Sequence, residues 1–291
     1  MPYCLIPEDK TPTDALRRIA HAELSDALKL AQDPGAGSPL HALRKSVKKT
    51  RGLLRLLRPV FAEFETENAA LRDAAAGISA LRDAEVMRLT LESLAALPGN
   101  TQAAEAAATM RAQLPPLSET GPDHSALTRF SEEIAQIRHR AEHWKAHEKG
   151  WHAYAPGLEL TLHQAQKRMK AARKTLSDSN FHRWRSRIKH HWYQARLLAP
   201  IWPEMMEPQI AIADRLGEIL GEHHDLAVLR HAVPAHLPEP ESDALDRLIG
   251  QEQRAREAEA FHLGTRLLGE DPAALSARWG HWYQLWRAER N

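Results

Sequence analysis

The sequence predicts an all-α fold, and three observations carry that prediction. Its hydrophobic content of 43% is dominated by Ala and Leu, with little Val and 14 Gly, a mixture that favours helix over sheet. Its bases recur at steps of three and four, the spacing of one helix face. Its two halves repeat one pattern at a fixed offset, as duplicated helical units do. At 291 residues the chain can bury a substantial core in one large domain or two ordinary ones.

Composition also excludes function classes. The single cysteine, Cys4, leaves no internal disulfide framework and no thiolate metal cluster, and a reducing interior fits best. The opening "MPYCLIPEDKTP" lacks both the basic and the apolar region of a secretory leader, and no apolar run spans a bilayer. The expectation is a cytoplasmic protein without a membrane partner. Net charge is only +1, so the informative quantity is where the charge sits. Residues 41–58 hold seven Lys or Arg and no acid, and residues 163–196 hold ten bases against Asp178. Acids gather elsewhere, as in "EFETE" at 63–67 and "PEPESDALD" at 238–246.

Self-alignment accounts for this segregation. "HALRKSVKKTRGLLRLLRPVF" at 41–61 matches "HRWRSRIKHHWYQARLLAPIW" at 182–202 at an offset of 141, pairing His41 with His182, Arg44 with Arg185, Lys48 with Lys189, Arg55 with Arg196 and Pro59 with Pro200. "ISALRDAEVM" at 78–87 then matches "LGEHHDLAVL" at 220–229, setting Asp83 against Asp225. The expected organisation is one domain, 1–291, of two repeats, 12–150 and 151–291, each a bundle-sized set of helices. Loop signals fall at "LPGN" (97–100), "LPPLSETGPDHS" (114–125) and "AYAPG" (153–157).

Local signals place the elements in order. Ser38 and Pro39 offer an N-cap and a first helical residue for the first basic helix, and Ser177 to Asn180 offer caps for the second. Pro59 and Pro200 end or kink these helices. "TQAAEAAATMRAQL", "SALTRFSEEIAQIRHRAEHWKAH" and "DALDRLIGQEQRAREAEAFHLGTRLL" also read as helices.

On the first basic helix His41, Arg44, Lys48, Arg51 and Arg55 share one side, and Leu40, Leu43, Val47, Leu54 and Leu57 an adjoining one. On the second, His182, Arg185, Lys189 and Arg196 take matching places, Trp192 replaces the base at Arg51, and Phe181, Trp184, Ile188, Ala195 and Leu198 form the core side. The helix before it sets His163, Lys167, Lys170 and Lys174 opposite Leu158, Leu162, Met169 and Leu176. A solvated helix face usually mixes signs, because like charges four apart cost about 0.2–0.5 kcal/mol. Accepting that repulsion repeatedly points to a linear ligand of repeated negative charge, gripped by Arg forks and Lys point charges.

These duplicated motifs, with "LRDAEV" and "HHDLAVL", resemble the CHAD family, a helical domain named for its histidines. The resemblance implies two pseudo-symmetric antiparallel bundles flanking a central basic groove or pore that binds inorganic polyphosphate. Carried over by position, the expected contacts are His41, Arg44, Lys48, Arg51, Arg55, His182, Arg185, Lys189 and Arg196. Lys167, Lys170 and Lys174 are additions from the neighbouring helix, and Lys45 and Arg173 join the candidate set. Phosphate or sulfate ions would occupy the same site, association with polyphosphate granules would follow, and protonation of His41 and His182 would favour binding. The triphosphate-tunnel hydrolase domain that often accompanies this family has a Glu-x-Glu-x-Lys signature absent here, which argues against catalysis and for a protein that is not an enzyme and needs no cofactor.

Two other readings remain open at this level. The same bases could bind RNA, although the first basic helix has no aromatic residue before Phe61 to stack on a base. "GEHHD" at 221–225 could belong to a metal-dependent phosphohydrolase. The first repeat has Leu81 and Arg82 in place of the two histidines, so the reading preferred is no metal, with Asp83 and Asp225 capping a helix or pairing with a base. His139, His143, His147 and His152 are expected at the surface, and Trp184 and Trp202 in the core.

Overall fold

The structure is a computed structural model that describes residues 3–33, 40–78, 83–114 and 124–289, with the side chains of residues 83, 84 and 124 left aside. Among the described residues there are eleven α-helices and no strand. In chain order they are α1 (Pro12–Gln32), α2 (Leu40–Leu56), α3 (Phe64–Gly77), α4 (Asp83–Ala95), α5 (Thr101–Gln113), α6 (His124–Ala141), α7 (Ala155–Lys174), α8 (Asp178–Leu198), α9 (Pro203–His236), α10 (Glu241–Leu267) and α11 (Pro272–Ala288). Among these residues no helix is long and apolar enough to cross a membrane.

Helix ends follow local chemistry. α1 opens on a capping box in which Thr11 Oγ1 accepts from the Asp14 amide while Asp14 accepts from the Thr11 amide, with Pro12 at the first position. Both basic helices, α2 and α8, run into a 3-10 turn that holds the following proline, Arg58–Val60 and Ala199–Ile201. Ser177 takes the N-cap position of α8 without a side-chain capping bond, and Asp178 sits in the first turn. The expected cap Ser38 and Pro39 lie outside the described residues. Asp225 is in the middle of α9, so it is not the N-cap of that helix; Asp83 opens α4, and its side chain lies outside the described residues.

The apolar faces assigned from spacing are buried: Leu43, Val47, Leu54 and Leu57 on and after α2, and Phe181, Trp184, Ile188, Ala195 and Leu198 on α8. Two positions depart from expectation. Leu176 is 63% exposed because α7 has already ended at Lys174, and Trp202 is 43% exposed where it meets Trp282 edge-on. The four histidines 139, 143, 147 and 152 are at the surface.

α1, α2, α3 and α6 pack together, as do α7, α8, α9 and α10, and one large core runs through both groups across residue 150. A second core is shared by the α4–α5 pair and by α9 and α10, where Leu91, Leu94 and Met110 meet Leu229, Leu245 and Leu248. The first stretch of chain thus reaches across to the far end of the second. What matters for the site is that α2 packs directly against both α7 and α8.

Candidate functional site

α2 and α8 meet closely because α2 has a glycine where they cross. A Cβ at Gly52 would come within 2.7 Å of Tyr193 Cβ and 2.9 Å of the Tyr3 hydroxyl. Position 193 is the one that aligns with 52 at the repeat offset of 141, so a residue touches its own counterpart. A second close approach occurs one turn on, where a Cβ at Gly157 of α7 would run into the Leu56 carbonyl of α2.

That packing gathers cations from three directions. Arg51 and Arg55 come from α2, Arg58 from the turn after it, Arg187 and His190 from α8, and Arg168 from α7. Their partners are few. Arg51 Nε donates to Asn68 Oδ1 at 3.1 Å, and Arg55 Nη1 donates to the carbonyl of Arg51 at 3.1 Å. Arg187 Nη1 lies 3.3 Å from His190 Nδ1, and the Arg187 Nε is buried with no acceptor. Arg58, the outermost, pairs with Glu65 at 2.7 Å and lies 4.8 Å over the Phe64 ring.

The electrostatic consequence is visible in the titration of these groups. Burial first, then Arg51, Arg187 and Arg58, push Arg55 down to about 9, with Glu65 opposing weakly. Arg187 is lowered by burial, Arg168 and Arg58, and Arg51 by burial and Arg72. His190 is pushed well below the ordinary imidazole range by burial, Arg55, Arg187 and Arg51. At neutral pH the guanidiniums stay charged and His190 is neutral. The crossing is therefore a half-buried cluster of like charge with little acid to balance it.

The matching ridge on α8 is different. Lys189 pairs with Asp214 of α9 at 2.8 Å and sits 4.6 Å over the Trp192 ring, while Arg196 lies 4.8 Å over that ring and 5.8 Å over Tyr3. Lys49 of α2 is bound to the buried Glu23 at 2.8 Å. Lys189 and Arg185 lie along α9 in space left by Gly217 and Gly221, whose added Cβ atoms would stand 2.7 Å from Lys189 Cε and 3.2 Å from Arg185 Nε. Arg44 is half-buried, and His41, Lys45 and Lys48 are exposed on the first turns of α2.

At the start of α8 the exposed His182 ring stands 4.4 Å from His224, and burial together with Arg185 lowers its titration. Burial, followed by His182 and Arg185, takes His224 to about 4. The other histidine of "GEHHD", His223, is buried against Phe181 and lies 3.2 Å from Glu257 Oε1, a packing role. No group of three or more His, Cys, Asp or Glu suited to a metal occurs among the described residues.

Of the α7 bases named from sequence, Lys167, Lys170 and Lys174 are exposed on another side of the helix from the cluster. Arg173 turns to α10, donating to Thr265 Oγ1 at 2.9 Å with its guanidinium 5.2 Å over Phe261. The α7 residue that reaches the crossing is Arg168, roughly 100° around the helix from Lys167. Sequence reasoning left Arg168, Arg187 and His190 out of its candidate set. Arg187 and His190 align with Ser46 and Lys49, so a search for matched bases discards the first; their spacing of three on one face was the available signal.

Fold and site together define an all-helical protein that sets two basic helices against each other and leaves cations crowded at one end of their contact. The family model described as CHAD domain matches residues 18–234, and the chain belongs to that family. No curated protein matches the sequence.

Proposed function

We propose that this CHAD domain protein binds inorganic polyphosphate at the contact of α2 and α8, holding the polymer without chemical turnover. The observation that carries this reading is the cluster of Arg51, Arg55, Arg58, Arg168 and Arg187. Guanidiniums brought together with few carboxylates are destabilising until an anion joins them, and Arg forks match phosphate oxygens two at a time. Membership in the CHAD family supports a polyphosphate-associated role. A cytoplasmic site of action on polyphosphate granules follows from the same reading, and orthophosphate or sulfate would be weaker occupants.

Polyphosphate is favoured over RNA by the state of Trp192, the aromatic residue on the matched ridge of α8. Both Lys189 and Arg196 already lie on the Trp192 ring, which leaves it poorly placed to stack on a base. The test is a titration of long-chain polyphosphate into the protein, followed by competition with single-stranded RNA of matched charge. Arg55→Glu with Arg187→Glu is expected to lower affinity at least a hundredfold with helicity unchanged by circular dichroism. Undiminished binding by that variant, or displacement of polyphosphate by RNA at equal charge, would overturn the assignment.

A further inference from the structure

We propose that Arg55, Arg187 and His190 form a seat for one phosphoryl group of the bound anion, and that filling this seat draws a proton from solvent onto His190. This rests on the polyphosphate reading above and adds to it a regulation, since affinity would then rise as the medium acidifies.

The geometry fixes the starting state. An arginine nitrogen only donates, so the 3.3 Å contact from Arg187 Nη1 makes His190 Nδ1 an acceptor and puts the ring's one proton on Nε2. The groups facing this ring and its neighbours are nearly all of one sign. Arg51 and Arg55 reach it from α2 and Arg187 from its own helix; Arg58 and Arg168 act on Arg187 in turn. Among the described residues, the carboxylate that bears on Arg55 is Glu65, and it is already held by Arg58. The ring's removal from water and then the field of these arginines keep His190 neutral.

A phosphoryl group entering the cluster offsets the field of the arginines and, although the ring stays out of water, gives an imidazolium there a direct acceptor. Arg55 offers its forked donors, and Arg187, whose Nε lacks an acceptor, turns its guanidinium toward the phosphate oxygens. Nδ1 is thereby released, and the anion's charge offsets that of the arginines. One solvent proton adds to Nδ1, and the resulting imidazolium donates to the anion as a third ligand. No bond to phosphorus is made or broken. Because His190 aligns with Lys49, itself bound to Glu23, the arrangement belongs to one side of the contact only.

The experiment is calorimetric titration of the full chain with long-chain polyphosphate near pH 7, in two buffers of different ionisation enthalpy. The internal groups of such a polymer stay fully ionised there, so net proton uptake reports the protein. Wild type is expected to take up close to one more proton per seat than His190→Gln and His190→Asn. Its association constant should climb up to tenfold per unit fall in pH where these variants stay flatter. Equal proton uptake by wild type and both variants, with binding intact, sinks the coupling and leaves the polyphosphate reading standing. Loss of helicity in one substitution is covered by the other. Normal binding by Arg55→Glu with Arg187→Glu would instead remove the seat and the reading it rests on.

Discussion

His191 is wholly buried in α8, stacked on Trp279 of α11 with ring centroids 5.9 Å apart, and neither ring nitrogen has a hydrogen-bond partner. Burial alone lowers it to about 4. An unfolded chain binds a proton at this ring near the usual 6.5, whereas the folded protein does so only near 4, so protons favour the unfolded state between those values. Its contribution to stability is present above about 6.5 and is lost as pH falls toward 4. Urea denaturation at pH 7 and pH 5 should show wild type losing about 2 kcal/mol more than His191→Phe, which keeps the ring against Trp279 and cannot titrate. Equal losses would mean the imidazole is hydrated. The same reasoning revises the sequence expectation for His182, whose charging moves to lower pH under the influence of burial and Arg185. "HWYQ" recurs at 191–194 and 281–284. Its first copy serves packing through His191 and Tyr193, and in the second Trp282 is buried.

At the scale of elements, the cluster depends on how closely α2 is approached. α7 starts at Ala155, carries Pro156 in its first turn and puts Gly157 against the last turn of α2. The added methyl of Gly157→Ala would collide with the main-chain carbonyl of Leu56, which no rotamer change relieves. Forcing α7 away should cost about 1–3 kcal/mol in chemical denaturation and should weaken polyphosphate binding by moving Arg168 from Arg187. A variant with wild-type stability would show that the two helices separate freely. Spacing made the helices and their apolar sides legible, since periodicity and proline punctuation act locally; α2 and α5 fall within the stretches read as helical, and α6 and α10 begin one and two residues before theirs. What spacing could not give is rotation between helices. It put Lys167, Lys170 and Lys174 on one side of α7, where all three are exposed, while the α7 base that bears on Arg187 is Arg168. Likewise it could not give the pairing of Lys189 on the second ridge with Asp214, which is contributed by α9.

For the whole molecule, a net charge of +1 conceals a folded state that concentrates cations at one crossing. Salt should therefore act on this protein in two opposite senses. Without ligand, ions screen the mutual repulsion of Arg51, Arg55, Arg58, Arg168 and Arg187, and at about 0.1 M the screening length is roughly 10 Å, comparable with the span of such a cluster. Exposed pairs such as Arg111 with Glu92 and Arg72 with Asp73 weaken under the same conditions, but each is worth at most about 1 kcal/mol. With polyphosphate the attraction itself is screened: for four neutralised phosphates, a slope of about −0.7 each in log affinity against log salt gives a loss on the order of a hundredfold for a fivefold rise in salt. Calorimetric scans of the free protein should thus show Tm rising with sodium chloride between about 50 and 250 mM, a range over which binding collapses. Arg187→Gln, which removes one cation from the crowded end, should start from a higher Tm at low salt and rise less. A free-protein Tm that is flat or falling, or an unchanged response in Arg187→Gln, would mean that these guanidiniums do not repel one another and have no shared need for an anion.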